Sequence, residues 1–346
     1  MTFSTPDKRE VRKFSLPIPD SGSQLATAEI ESPTAVVPGC LYRGHCSLLS
    51  GAPKAGKSSL VRDWLRRIHQ GFQTYAAVEA MVPTGSIRPV NTLILSEETA
   101  WQWAEFAQNL PGTDEDKDWL RILHRGHGRI APSSSADLDD WVDAVIDMGK
   151  TYEAGLILID PVTRFGSITS ENDNSEVLRA LMNFERIASE TGAALCLLHH
   201  TTKGGNEPRG CSAWQQQPDV LLSFRSLTEK EVIETDETTP DRIRILSGKG
   251  RFPEIESQVA CYMDQENVYH HLPGVINRFV SIPEYDGERV LAVMGSKEGE
   301  WDAKDLAELL SMDIQKVRRA LRNLCARNRI VKHGETRDST YTLYGA

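Results

Sequence analysis

The segment that most constrains this chain is the run Gly51-Ala52-Pro53-Lys54-Ala55-Gly56-Lys57-Ser58, which fits the pattern G-x-x-x-x-G-K-[ST] at every fixed position. Its glycines let backbone N–H groups curl around a phosphate, Lys57 reaches the β- and γ-phosphates, and Ser58 offers a hydroxyl to Mg²⁺. The apolar residues before it predict a buried strand, and the amphipathic residues 58–69 after it predict a helix. The phosphates would then lie at a helix N-terminus, which favours anions. The predicted nucleotide contacts are Gly51, Ala52, Pro53, Lys54, Ala55, Gly56, Lys57, Ser58 and Ser59.

Length and composition indicate a two-domain soluble protein. The chain has 346 residues, of which 40% are hydrophobic and 25% charged. It contains no apolar run of about 18 residues that could span a membrane, and its N-terminal segment lacks the apolar region of a secretory signal. The six cysteines are scattered without a C-x-x-C pair, which favours free thiols in a reducing compartment. We therefore expect a cytoplasmic protein with a flexible N-terminal arm, residues 1–37.

Apolar runs that alternate with helical patterns predict an α/β fold with a mainly parallel sheet covered on both faces. The predicted parallel strands are residues 46–50, 92–96, 120–124, 156–160 and 193–198. Such sheets bind ligands beyond the carboxyl ends of their strands. The sequence places Gly51, Glu97, Asp160 and the pair His199–His200 at such ends. From residue 219 onward, strands at 220–224, 242–246 and 258–263 suggest an antiparallel extension.

The strand-end residues are suited to hydrolysing a nucleoside triphosphate. Asp160 follows four apolar residues, the pattern of the acid that helps to hold Mg²⁺. Hydrolysis also needs a group that orients or deprotonates water, for which Glu97 is the best candidate and Glu98 the alternative. Adjacent strand residues point to opposite faces, so His199 and His200 cannot easily share one metal ion. One of them could instead sense the γ-phosphate.

Two loops carry basic residues that could reach a phosphate. The Gly-rich segment 201–211 holds Lys203 and Arg209, and a later segment holds Lys249 and Arg251. Lys203 and Arg209 could contact nucleic acid or a nucleotide. If the site lies between subunits, an arginine from one of these segments can act as a finger in trans.

The C-terminal region, residues 276–346, predicts a linker, carrying Pro283, followed by a small separate domain. Helical patterns near 289–294, 302–310 and 313–327 precede a predicted hairpin of residues 329–332 and 339–343, which together indicate a winged helix-turn-helix. Residues 313–337 carry a net charge of +6, from eight basic and two acidic residues, although the whole chain carries −10. A basic patch on an acidic body favours nucleic-acid binding. The DNA-binding candidates are Lys203, Lys316, Arg318, Arg319, Arg322, Lys332 and Arg337.

Six ordered motifs resemble those of the RecA/DnaB-type ATPases, in particular the RepA-like plasmid helicase branch. They are the segment PGCLYRG at residues 38–44, GAPKAGKSS at 51–59, LSEET at 95–99, LILIDPV at 156–162, HHTTK at 199–203 and RGCSA at 209–213. The resemblance implies a RecA-like ATPase domain, residues 38–275, that works as a ring, usually a hexamer, with ATP and Mg²⁺ at subunit interfaces.

The resemblance also assigns roles to single residues. It implies that Lys57 and Ser58 bind phosphate and Mg²⁺, that Glu97 is the catalytic base and that Asp160 is the Walker B acid, which binds Mg²⁺ through water. His200 becomes the γ-phosphate sensor and Arg209 the finger from the neighbouring subunit, with Lys249 and Arg251 as rivals. The loops 163–174 and 201–209 would face a central channel that holds single-stranded DNA. Two features depart from the family: RGC replaces the more usual RGS, and loop 163–174 is more acidic than basic.

The sequence leaves three candidate functions. The first is a Mg²⁺-dependent ATP hydrolase of the helicase type, acting in replication of a plasmid, phage or mobile element. The second is an ATP-dependent DNA-binding regulator that does not unwind DNA, which the acidic loop and the specialised C-terminus favour. The third is a small-molecule or nucleotide kinase, which the HHTTK and RGCSA segments disfavour.

Overall fold

The computed structural model describes residues 21, 33–74, 78–79, 86–201, 207–227, 231–232, 242–252, 254–255, 258–272, 280–296, 299–334 and 339–344. The chain divides into two units, Met1–Pro33 and Thr34–Ala346, and the description below concerns the second. The predicted arm, residues 1–37, lies mostly outside the described residues.

The elements alternate between strands and helices over most of the chain. The strands are β1 (Ala35–Val37), β2 (Leu41–Tyr42), β3 (Cys46–Gly51), β4 (Val78–Glu79), β5 (Ser86–Ile87), β6 (Thr92–Ser96), β7 (Leu120–His124), β8 (Leu156–Asp160), β9 (Ala194–His200), β10 (Val220–Ser226), β11 (Glu231–Val232), β12 (Ile243–Gly250), β13 (Val259–Met263), β14 (Tyr269–His271), β15 (Val280–Ser281), β16 (Ile330–His333) and β17 (Thr340–Leu343). The α-helices are α1 (Lys57–Thr74), α2 (Ala100–Gln108), α3 (Leu138–Thr151), α4 (Val162–Phe165), α5 (Asn174–Thr191), α6 (Ala213–Gln216), α7 (Ile282–Ser296), α8 (Ala303–Leu309) and α9 (Ile314–Ala326).

A nine-stranded sheet forms the centre of the fold, in the order β14-β13-β12-β10-β3-β9-β8-β6-β7. The six strands from β10 to β7 are parallel to their neighbours, and β12, β13 and β14 extend the sheet in antiparallel pairs. The mainly parallel sheet and its antiparallel extension, both predicted from the apolar runs, are confirmed.

Helices cover both faces of this sheet, because successive residues of a buried strand point to opposite sides. On β8, for example, Leu158 packs in one apolar cluster and Ile159 in the other. Helices α1 and α2 contribute to the first cluster, and α3 and α5 contribute to the second. This two-sided burial explains why the strands read as unbroken apolar runs rather than as alternating ones.

Strand β9 is longer than its apolar run predicts. It continues through His199 and His200, which pair in register with Ser50 and Gly51 of β3. The two histidines therefore point to opposite sides, as expected for adjacent strand residues: His199 is buried and the His200 residue is exposed.

The C-terminal segment has its own apolar cluster, formed by α7, α8, α9 and the antiparallel pair β16–β17. Helix α7 begins at Ile282, seven residues before the predicted start at residue 289, so the predicted linker is partly helical. Pro283 does not prevent this, because proline is tolerated in the first turn, where its missing N–H has no intrahelical partner.

Candidate functional site

The phosphate-binding loop connects β3 to α1 and is held tightly against the sheet. A Cβ on Gly51 would lie 2.4 Å from the Phe224 carbonyl oxygen, and a Cβ on Gly56 would lie 2.7 Å from the Tyr269 hydroxyl. Gly56 also has φ +99°, which favours glycine. Both fixed glycines of the pattern are therefore required by close approach, and in Gly56 by backbone conformation as well.

Lys57 occupies this loop with its ammonium group turned inward. Its Nζ donates to the carbonyl oxygens of Gly51 at 2.7 Å and Ala52 at 3.3 Å, and it lies 3.4 Å from His200 Nδ1. The residue is buried, and burial lowers the pKa of Lys57, an effect that the nearby Asp160 carboxylate opposes. A phosphate entering the loop would offer this ammonium a stronger, charged acceptor than the two carbonyls.

The strand-end residues lie along one edge of the sheet. Gly51 pairs in register with His200, and Ser96, which precedes Glu97, pairs with Asp160. Because β9 lies between β3 and β8, the order along the edge is the phosphate loop, His200, Asp160 and Glu97. Glu97 N donates to the Asp160 carbonyl oxygen at 3.1 Å, which ties the two acidic segments together.

The Asp160 carboxyl is mostly buried, and burial raises its pKa to about 6. The carboxylates of Glu98 and Glu97 raise this pKa further, whereas the Lys57 ammonium lowers it. The Asp160 carboxylate thus has the Lys57 ammonium as its opposing charge, whereas Glu97 and Glu98 have arginine partners. A divalent cation next to Asp160 would favour its ionised form.

Each of the two candidate bases already has an arginine partner. Glu97 pairs with Arg164 of α4, with 3.1 Å between Oε1 and Nε, and both side chains are about half-exposed. Glu98 pairs with Arg62 of α1 at 3.1 Å and is more buried. Glu97 is thus the more accessible of the two carboxylates to solvent, as a water-activating group must be.

The two histidines have separate environments. His199 stacks on Trp214, with ring centroids 4.2 Å apart, and its Nε2 lies 2.8 Å from the Arg209 carbonyl oxygen. His200 stands beside Lys57, and burial, then the Lys57 charge, lowers the pKa of His200, which keeps its ring neutral at neutral pH. Within the described ranges, no group of three His, Cys, Asp or Glu side chains is placed to hold a metal ion.

Arg209 is engaged within its own chain. Its guanidinium forms a bidentate ion pair with the Glu171 carboxylate of loop 163–174, and this pairing lowers the pKa of Glu171. Its backbone N–H donates to the His200 carbonyl oxygen at 2.9 Å. The next residue, Gly210, has φ +112°, and a Cβ there would lie 2.1 Å from the Glu171 carbonyl oxygen. The glycine of the RGC segment is therefore required for the two loops to meet.

The alternative finger residues, Lys249 and Arg251, lie near the other end of the sheet. Gly250 pairs with Val220, which pairs with Ser47 of β3. Ser47 precedes Gly51 by four residues, roughly 13 Å along a strand. The Arg251 guanidinium pairs there with Asp219 at 3.1 Å. A phosphate contact from these residues therefore requires the nucleotide of another subunit, and that contact stays a prediction.

The sequence did not point to the residues that support the phosphate loop from the antiparallel extension. Arg244 of β12 donates from Nε to the Ala55 carbonyl oxygen at 3.0 Å. Asp63 of α1 is buried and accepts hydrogen bonds from Arg67 Nε at 2.9 Å and from Tyr269 N at 3.2 Å. A buried aspartate within an amphipathic helix was the one available signal.

The DNA-binding candidates lie on or near α9 where they are described. Lys316, Arg319 and Arg322 are exposed and Arg318 is half-exposed, and Lys332 of β16 is also exposed. Asp313 begins the helix, since its side chain accepts from Gln315 N at 2.8 Å. The remaining candidates, Lys203 and Arg337, lie outside the described residues.

The chemistry of the site suits Mg²⁺ bound together with a nucleotide. Mg²⁺ is usually held by one or two protein oxygens and by substrate phosphates. Ser58 in the first turn of α1 and Asp160 at the sheet edge supply a hydroxyl and a carboxylate. Among the helices of the described ranges, none is long and apolar enough to cross a membrane. All six cysteines are described and are free thiols.

Comparison with known proteins identifies one family. Residues 14–206, more than half of the chain, match the model of a family described as an AAA domain. This stretch includes the phosphate loop, Glu97, Asp160 and His200. No curated protein matches the chain.

Proposed function

This chain belongs to the AAA domain family of P-loop ATPases, and from that premise we propose that it is a Mg²⁺-dependent ATP hydrolase of the RepA-like replicative helicase type. The proposal is supported above all by the order of groups along one edge of the sheet. Lys57 follows β3, and His200, Asp160 and Glu97 lie at the ends of the next three strands, β9, β8 and β6. A phosphate binder, a γ-phosphate sensor, a metal-binding acid and a base are the groups that ATP hydrolysis needs.

Binding of ATP begins at the loop. The triphosphate takes the place of the Gly51 and Ala52 carbonyl oxygens as the acceptor for the Lys57 ammonium. Ser58 and Asp160 would hold Mg²⁺, which would neutralise part of the charge on the phosphate oxygens. A cation there would favour the ionised form of Asp160, whose pKa is raised first by burial and then by the Glu98 and Glu97 carboxylates.

Hydrolysis then depends on the exposed carboxylate at the end of the edge. Glu97 accepts a proton from the attacking water, and to do so its carboxylate must give up part of its pairing with Arg164. His200, next to Lys57, is close enough to the loop to contact the γ-phosphate and is neutral, so it can donate one hydrogen bond without adding charge. Glu98 is held by Arg62.

A ring of subunits would complete the site. Arg209 is the proposed finger, and to reach a neighbour's γ-phosphate it must exchange its Glu171 partner for phosphate oxygens. Lys249 and Arg251 are alternatives, since their place on the sheet allows only a contact in trans. The loops 163–174 and 201–209 would line the channel, where single-stranded DNA is the expected ligand.

The C-terminal segment would supply a second contact to DNA or to a protein. Its three helices and β-pair have the order of a winged helix-turn-helix. Helix α9 carries four basic side chains, of which three are exposed and one is half-exposed. A recognition helix of this kind binds the phosphate backbone and base edges of a duplex. We propose that it anchors the ring at an origin or to a partner in replication of a plasmid, phage or mobile element.

The test is the ATPase rate and the separation of a labelled duplex by the purified protein, with Lys57→Ala as the inactive variant. We expect ATP-dependent strand separation by the wild type, stimulation of hydrolysis by single-stranded DNA, and loss of both activities in Lys57→Ala. Strand separation by Lys57→Ala at the wild-type rate would overturn the proposal.

An ATP-dependent regulator without unwinding activity is the second candidate. It is favoured by the ion pairs of Glu97 and Glu98 with arginines, because a carboxylate held in this way is not free to activate water. In that case the protein hydrolyses ATP, but single-stranded DNA does not stimulate the rate and duplex DNA is not separated. A mass measurement in solution would show for either candidate whether a hexamer forms.

A further inference from the structure

A charged cavity lies beside Glu97, at the same edge of the sheet. It has a volume of about 530 Å³ and is lined by Glu97, Arg125, Arg129 and Arg164, together with small and apolar residues. Glu97 follows β6, Arg125 follows β7, and Arg164 lies four residues beyond the end of β8. Three neighbouring parallel strands therefore deliver three of these charged side chains to one place at their carboxyl ends.

The charges in this cavity are unbalanced. Three arginines face one glutamate, which leaves a net charge of +2 on the lining. Arg129 pairs with Asp137 at 2.7 Å and Arg164 pairs with Glu97 at 3.1 Å. Arg125 is exposed and makes no ion pair or side-chain hydrogen bond with any described residue. Three guanidinium groups that line one cavity, one of them with no partner among the described residues, have the chemistry of an anion site.

The cavity borders the hydrolytic site at Glu97 and Arg164, but its other two arginines lie away from the phosphate loop. Three strand spacings separate β3 from β6 and four separate it from β7, which corresponds to roughly 14 and 19 Å. A nucleotide held by Lys57 therefore does not place its phosphates among Arg125 and Arg129. The volume of the cavity also exceeds that of one phosphate and falls within the roughly 300–1,000 Å³ usual for ligand sites.

We propose that this cavity binds the phosphate groups of a single nucleic-acid strand through Arg125, Arg129 and Arg164. Planar guanidinium forks match phosphate oxygens in pairs, which lysines do not. The choice of nucleic acid over another phosphate compound rests on the proposed function, whereas the anion site itself rests on the arginines alone.

Arg164 belongs to both this cavity and the hydrolytic site. A phosphate that approaches its guanidinium competes with Glu97 for the same donors. Occupation of the cavity therefore frees the Glu97 carboxylate to contact water. By this exchange the strand, once bound, raises the rate of hydrolysis without touching ATP.

The binding test compares Arg125→Gln with Arg179→Gln in the full-length protein, by the anisotropy of a labelled oligothymidylate without ATP. Arg179 is exposed on α5 and does not line the cavity, so its substitution removes the same charge elsewhere. Loss of one phosphate contact lowers the slope of log K against log salt by about 0.7, or about fourfold in affinity at about 0.15 M salt. We expect this loss in Arg125→Gln and wild-type binding in Arg179→Gln.

Inorganic phosphate serves as the second ligand in that test. One outcome is that Arg125→Gln reduces the stabilisation of the folded protein by inorganic phosphate, but binds oligothymidylate as tightly as Arg179→Gln does. That outcome overturns the assignment of the site to a nucleic-acid strand. Equal behaviour of the two variants toward both ligands overturns the anion site altogether.

The exchange at Arg164 is tested by the ATPase rate with and without oligothymidylate. We expect Arg164→Gln to raise the rate without the oligonucleotide and to bring the stimulation ratio toward one. A ratio equal to that of the wild type would contradict the exchange. Failure of the proposed ATPase function gives a different result, because then the wild type itself does not hydrolyse ATP. Even so, the oligothymidylate binding of Arg125→Gln and Arg179→Gln can still be compared.

Discussion

The substitution Asp160→Asn should abolish hydrolysis and yet stabilise the nucleotide-free protein. Burial and the neighbouring carboxylates raise the pKa of Asp160 from 3.8 to about 6, a change worth about 3 kcal/mol. Folding therefore disfavours the ionised carboxylate, which ATP and Mg²⁺ binding require. Asparagine keeps the shape of the side chain without the charge, so the variant avoids this cost.

The sign of the effect fixes its dependence on pH. A carboxyl whose pKa is raised by folding contributes stability that is fully present below pH 3.8 and is lost as the pH rises through 6. Asparagine does not titrate, so its advantage over the wild type grows with pH. We expect a difference in the free energy of unfolding of about 3 kcal/mol at pH 8 and roughly half of that at pH 5.

Urea unfolding at these two pH values, with EDTA and without nucleotide, measures the difference. The matched control is Asp147→Asn, because Asp147 is exposed on α3 and its substitution should change the free energy of unfolding by less than about 0.5 kcal/mol. A variant no more stable than the wild type at pH 8, or a gap that does not widen between pH 5 and pH 8, would refute the reasoning about the carboxylates.

Two further substitutions test the loops. Gly210→Ala, at φ +112° with its Cβ 2.1 Å from the Glu171 carbonyl oxygen, should destabilise the protein by about 2–4 kcal/mol in urea unfolding. Gly192→Ala, at φ +67° with no atom within 4 Å, should cost only about 1 kcal/mol, and equal costs would show that contact with the other loop does not matter. Lys57→Ala and Arg209→Ala should each be inactive, but a mixture should regain roughly a quarter of the wild-type ATPase rate if the finger acts in trans. No recovery would assign Arg209 to its own subunit.

The parallel sheet and the placement of its polar ends were predictable because both are written in consecutive residues. Each buried strand is an unbroken apolar run, and in residues 156–160 and 92–97 the run ends at an acid. Parallel strands bring such ends to one edge whatever their order in the sheet. The sequence therefore predicted that Glu97, Asp160 and the histidine pair lie at one edge of the sheet, without knowledge of which strands are neighbours.

Contacts between distant segments were not predictable in this way. The Arg209–Glu171 pair joins residues 38 positions apart, and Arg244 meets the Ala55 carbonyl across 189 positions. Neither leaves a period or a motif in the sequence, because each depends on how two loops or strands meet. The early start of α7 was missed for a local reason, since Pro283 is a helix breaker everywhere except in a first turn.

The acidity of loop 163–174 is the main objection from the sequence to its contacting a nucleic-acid backbone, and the contacts of its acids reduce that objection. Glu171 is bound by the guanidinium of Arg209. The carboxylate of Asp173 accepts two backbone N–H groups at the start of α5, where the helix dipole also favours it. While the Arg209–Glu171 pair is intact, both acids are compensated within the fold, and their number overstates the repulsion that a phosphate would meet. Arg164, in contrast, is held by an exposed glutamate that water also solvates. A phosphate that approaches this loop in the nucleotide-free protein thus meets two acids that already have partners and an arginine, Arg164, that can exchange its own.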